Sequence, residues 1–138
     1  HRLTRPPQGD RDHMTPWEDM ELFRHVLVTD CFVLSWAEHD GSLTFEVEAS
    51  LWPGHPLYSK PPKTDWTCYR KATLRFPGVR RIEGLRTMAE TPSTTDPDDS
   101  IDYGSFHGLH LADDGRYHLS GDFGEVTIES DPLVFEIH

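Results

Sequence analysis

The Asp40-Gly41 dipeptide lies between two runs of alternating apolar and polar residues, and it constrains the fold more than any other feature of the chain. A two-residue type I′ turn needs positive φ at both central positions, which Asp-Gly supplies. Centring the turn there pairs Trp36 with Phe45, Leu34 with Val47 and Phe32 with Ala49 on one face, and Ser35 with Glu46 on the other. Turn chemistry and side-chain pattern agree on one register over residues 30–52. The second strand alternates without a fault, with Leu43, Phe45, Val47, Ala49 and Leu51 inward and Thr44, Glu46, Glu48 and Ser50 outward.

The rest of the chain follows the same logic. Residues 53–62 (PGHPLYSKPP) are a rigid loop, and 67–77 return to alternation, with Cys68, Ala72, Leu74 and Phe76 on one face. Arg70 breaks that apolar row, which places it near the sheet margin. Pro77-Gly78 turns the chain, and residues 79–90 read as a poorer strand interrupted by a bulge near Gly84. After a polar loop at 91–102, short strands are expected near 103–112, 116–123, 125–130 and 133–137, punctuated by Asp114-Gly115, Gly124 and Asp131-Pro132. At the other end, Thr15-Pro16-Trp17-Glu18 has the form of a capping box with proline at the first helical position. Trp17, Met20, Phe23 and Leu27 extend it as one apolar stripe, so a short helix to about residue 26 is expected. Residues 1–14 lack periodicity and read as an arm or leader, with Met14 a candidate start of the natural chain. The expected fold is therefore mainly β: an antiparallel β-sandwich or partly open barrel of about seven or eight strands with one short N-terminal helix, residues 15–138 forming a single domain.

Charge narrows the function. The net charge of the 138 residues is −11, and it is unevenly spread: residues 91–138 contain 11 Asp/Glu and only Arg116 as a cation. Such a segment repels phosphate backbones and attracts basic partners. Residues 60–86 carry eight Lys/Arg interleaved with Trp66, Tyr69 and Phe76, a pattern better read as neutralising the acidic strands than as a nucleic-acid surface. No apolar run approaches the roughly 20 residues of a spanning helix. Two cysteines, Cys31 and Cys68, do not make a disulfide scaffold, and a reduced, cytoplasmic setting is the expectation.

Chemical signatures are sparse. His107, His110 and His118 lie close in sequence, but a turn at Asp114-Gly115 would set His107 opposite Asp122, His118 opposite Leu111 and His110 opposite Leu119. The three imidazoles then do not converge, HExxH and CxxC are absent, and no metal is assigned. Asp96, Asp98, Asp99 and Asp102 imitate half of an EF-hand loop but lack its glycine and final glutamate. There is no GxSxG elbow and no glycine-rich phosphate loop, so no catalytic residue and no cofactor is assigned.

The runs 29–36 (TDCFVLSW) and 40–47 (DGSLTFEV), with 72–79 (ATLRFPGV), resemble small uncharacterised bacterial all-β proteins, some of them grouped with the immunity proteins of polymorphic toxin systems. The resemblance spans residues 29–83, with Thr29 standing where those proteins carry His. It implies a non-enzymatic, acidic protein that neutralises a basic toxin domain. On that reading Asp96, Asp98, Asp99, Asp102, Asp113 and Asp114 face the partner. The alternative is a small-ligand pocket, with or without an enzymatic role, with Trp36, Trp52, Tyr58 and Trp66 around its mouth. A homodimer through a sheet edge or the arm is a third reading.

Overall fold

The computed structural model describes residues 14–59, 68–95 and 101–138. Its strands are β1 (Met14–Pro16), β2 (Phe32–His39), β3 (Ser42–Leu51), β4 (Cys68–Phe76), β5 (Arg81–Glu83), β6 (Thr94–Thr95), β7 (Ile101–Asp102), β8 (Phe106–Ala112), β9 (Arg116–Gly121), β10 (Gly124–Glu129) and β11 (Val134–Ile137). All pairings are antiparallel. They build a four-stranded sheet in the order β11-β4-β3-β2, a five-stranded sheet in the order β1-β8-β9-β10-β5, and a small β6-β7 ribbon. The sheets do not close into a barrel, and the arrangement is sandwich-like.

The Asp40-Gly41 turn forms as its chemistry requires, with φ of 51° and 75°. Trp36 pairs with Phe45 and Ser35 with Glu46. Beyond Ser35 the register departs from the expected one, because a bulge at Leu34 moves Val33 opposite Val47 and Phe32 opposite Glu48. Val33 is then the fully buried residue, while Phe32 and Leu34 are half-buried on the outer face. The cause is visible in the backbone. The Val33 N–H donates to the Gly104 carbonyl at 2.8 Å and its carbonyl accepts from the Tyr103 N–H at 2.8 Å, so the outer edge of β2 is claimed by the segment leading into β8. This edge pairing stitches the two sheets together.

The inward row of β3 is buried as expected, and so are Cys68, Ala72, Leu74 and Phe76 on β4. Burying each large apolar side chain contributes about 1.5–3 kcal/mol. Between the sheets the rings interlock. Phe45 lies 5.2–6.4 Å from the ring centres of Trp36, Phe76, Phe106 and Phe123. Trp36 also satisfies its indole N–H, donating to the Arg86 carbonyl at 3.1 Å.

The N-terminal helix does not form. Met14–Pro16 is strand β1, with Thr15 opposite Leu111, and it is followed by separate 3₁₀ turns at Trp17–Asp19, Glu21–Phe23 and Val28–Asp30. Met20 is extended (φ −89°, ψ 125°) and His25 is left-handed (φ 60°), which lets residues 25–27 pair with the end of β3. An isolated helix of three turns is marginal in water, and here strand pairing at both ends wins. A complete capping box occurs instead at Thr87 and Glu90, on a single 3₁₀ turn. Among the described residues, no helix is long and apolar enough to cross a membrane.

The weak strand at 79–90 shortens to β5 and stops at Gly84 (φ 90°), which crosses over Gly124 (φ 120°). A Cβ on Gly84 would collide with the Glu125 carbonyl oxygen, and one on Gly124 with the Gly84 carbonyl oxygen. A Cβ on Gly41 would meet nothing within 4 Å. Gly41→Ala is therefore expected to cost only the left-handed backbone penalty, about 1–2 kcal/mol. Gly124→Ala adds a backbone collision and is expected to cost about 3 kcal/mol or more. Urea unfolding of the two variants checks this ranking, and equal losses would contradict it.

Candidate functional site

The β8-β9 turn determines what the outer face of the five-stranded sheet can do. It spans residues 113–115, one residue longer than a two-residue turn, with Gly115 at φ 86°. The extra residue shifts the pairing by one: His110 stands directly opposite His118, and Leu111 opposite Tyr117. This corrects the expectation that His118 faces Leu111 and His110 faces Leu119, although His107 stays apart and, among the described residues, the three imidazoles form no cluster of three. The two imidazoles stack with centres 4.9 Å apart and planes 21° from parallel. A bulge at His107, between the Phe106-Gly121 and Gly108-Ser120 pairs, turns that ring to the surface. There His107 Nε2 lies 3.5 Å from Asp122 Oδ1, the expected cross-strand pair, reached by a bulge rather than by direct register.

Asp122 owes its position to a two-residue hairpin between Gly121 and Gly124. Phe123 folds inward beneath Gly121 and is fully buried, while Asp122 faces the opposite way and packs over Gly104. A Cβ on Gly104 would press into the Asp122 carboxylate, so glycine is what permits the approach. Asp102 accepts the Gly104 N–H at 3.0 Å and thereby holds the same corner.

Three depressions meet around these histidines. One of about 610 Å³ is bordered by Phe32, Leu34, Glu48, Tyr69, Asp102, His107 and Asp122. A second, of about 560 Å³, shares His107 and continues along Trp17, Glu18, Asp19 and His110. A third, of about 360 Å³, shares Gly108 and His110 and runs past His118, Ser120, Glu125 and Thr127. The bulge at Leu34 contributes directly, since it turns Phe32 outward to stack 5.7 Å from Tyr69. The described lining thus includes six carboxylates, three histidines and three aromatic rings, and no Lys or Arg. One cation, Lys71, flanks this lining beside Glu48, and others lie farther off. On the outer face of the four-stranded sheet, Lys71 pairs with Glu48 and Arg75 with Thr44, while Arg116 sits 3.5 Å from Glu129.

The structure divides the residues expected to face a partner. Asp102 belongs to this belt. Asp113 and Asp114 lie at the far end of β8, where Asp114 accepts the Arg116 N–H at 3.0 Å and borders a mixed-charge hollow with Arg80 and Arg116. Asp96, Asp98 and Asp99 lie outside the described residues, as does Trp66. Of the expected ligand-pocket residues, Trp36 is a correction: it is 6% exposed and packed in the core, where its ring serves the sheet interface. Trp52 and Tyr58 do share a shallow hollow of about 300 Å³ with Asp30, Ser50 and Cys68. Glu18, Asp19, Glu48 and Glu125 are site residues that the sequence reading did not assign to a site, whereas Asp122 entered it as the cross-strand partner of His107. Glu48, outward on an unambiguous strand, also carried a signal.

Burial pushes the Cys31 thiol up to about 12, and it donates to the Leu27 carbonyl at 3.2 Å. No protein-family model, curated protein or solved structure matches the chain.

Burial, and secondarily the neighbouring His118, holds the His110 imidazole below the ordinary histidine range. The unfolded chain then binds more protons than the folded one between the two values, so this site loses stability as pH falls below about 6.5. Histidine NMR titration should show the His110 midpoint below that of a free imidazole side chain, rising toward it in His118→Gln. A midpoint at or above the ordinary value would contradict this packing.

Proposed function

We propose that the chain is a non-enzymatic binding protein whose acidic belt receives a basic segment of a partner protein, in the manner of the immunity-like inhibitors it resembles. One observation carries this reading: three neighbouring depressions that share lining residues and are bordered by Glu18, Asp19, Glu48, Asp102, Asp122 and Glu125, with no Lys or Arg among the described lining residues. A concave surface of one sign concentrates field lines and raises the encounter rate with an oppositely charged partner. Trp17, Phe32 and Tyr69 add ring faces on which Arg or Lys side chains of the partner can lie. The same field disfavours nucleic acid, whose phosphates it repels.

The belt differs from the surface that charge counting suggests. The acidic run at 91–138 supplies Asp102, Asp122 and Glu125, while a 3₁₀ turn supplies Glu18 and Asp19 and strand β3 supplies Glu48. The test is affinity capture from native lysate at low and high salt, with the wild type beside Glu48→Gln/Asp122→Asn and Asp113→Asn/Asp114→Asn. A basic protein retained at low salt, weakened at high salt and lost at least tenfold by the belt variant alone supports the reading. Retention unaffected by salt, or lost only with the turn variant, overturns it.

A further inference from the structure

The one-residue lengthening of the β8-β9 turn has a second chemical result, within the belt but not resting on its use for a partner. It sets two imidazoles side by side on the outer face, in direct cross-strand register at His110 and His118. Residues directly opposite in an antiparallel pair hold their Cβ atoms about 4.5–5.5 Å apart. In the stack the ring lone pairs run nearly parallel, so one metal ion at the usual metal–nitrogen distance of about 2.0–2.1 Å is bound only once the two rings rotate about χ1 and χ2 to turn a nitrogen toward each other.

Three further features favour a cation there. The next row along the face is Gly108 opposite Ser120, two small residues that leave the neighbouring hollow of about 360 Å³ open beside the rings. On the adjacent strand, Thr127 stands opposite His118, and its Oγ1 lies 3.4 Å from His118 Nδ1. When Nδ1–H donates to Thr127 Oγ1, the Nε2 lone pair is the one left for a metal. Glu125 lines the same hollow and no Lys or Arg does, so the local charge favours a cation.

We propose that His110 and His118 form an open, two-imidazole site for a borderline transition-metal ion, with the remaining coordination positions taken by water. Imidazole ligands select Cu²⁺, Ni²⁺ and Zn²⁺ over the hard ions Ca²⁺ and Mg²⁺, with Cu²⁺ bound most tightly. Among the described residues there is no group of three or more His, Cys, Asp or Glu placed to hold a metal. The site is therefore of the exchangeable kind rather than a closed structural centre.

The experiment is calorimetric titration of the untagged full chain with Zn²⁺ and, separately, Cu²⁺, repeated on His110→Gln, His118→Gln and His25→Gln. One Zn²⁺ per chain is expected, weakened at least tenfold by either of the first two substitutions and unchanged by the third. Because a variant can lose binding by misfolding, paramagnetic broadening of wild-type amide resonances by substoichiometric Cu²⁺ gives a second readout. Broadening should centre on residues 108–111 and 117–120. Absence of binding, or broadening centred on other histidines with affinity unchanged in both variants, overturns the proposal.

Discussion

Everything in this molecule hangs on the ring cluster between its two sheets. Phe45 touches Trp36 and Phe76 from its own sheet and Phe106 and Phe123 from the region of the other, at centre distances of 5.2–6.4 Å. Aromatic pairs at such separations prefer tilted or edge-on packing, and the observed interplanar angles follow that preference except at Trp36, which sits 34° from Phe45. Neither sheet could bury its inner face alone. The cluster supplies the shared interior that makes a two-layer arrangement stable for a chain of this size.

The candidate site is the other side of the same construction. The Gly121-Gly124 hairpin drives Phe123 into the cluster and in doing so turns Asp122 onto the surface beside His107. The bulge at Leu34 acts likewise, committing Val33 to the core and exposing Phe32 to the groove. Core packing and site geometry are thus set by the same two backbone irregularities. Positions such as Gly104, Gly108 and Gly121 take part by leaving room for a neighbour.

Regular strands were legible in the sequence because period-two alternation is a local signal. Residues 42–51 and 68–76 form strands with the inward rows that the alternation implies, and the Asp40-Gly41 turn is what its chemistry demands. What could not be read were insertions of one residue. Alternation tolerates a shift as long as the residues on both sides remain apolar, as at Phe32, Val33 and Leu34, and a side chain's face depends on the count. The β8-β9 turn shows the same ambiguity: Asp114-Gly115 suits a two-residue turn, but the chain uses three, and His110 and His118 come side by side. The helix failed for another reason. Its capping box and stripe are genuine local preferences, overridden when Met14–Pro16 pairs with β8 and residues 25–27 pair with β3. The acidic belt was legible only in part, since its carboxylates come from five separate segments.

The pairing order also bears on how the chain acquires this structure. β2 and β3 are joined by a two-residue turn, and β8, β9 and β10 by turns of two or three residues, so the hairpin and the second meander can collapse early, with β4 joining across the longer connection 52–67. By contrast, β1 waits for residues 110–112, and β4 keeps an open edge until residues 134–137 arrive. Long-range closures of this kind slow the search for the native state far more than they weaken it, because the entropy of a loop grows only logarithmically with its length. A half-made molecule would therefore display the β4 edge to its neighbours, and rapid synthesis at high concentration would expose it to intermolecular strand pairing.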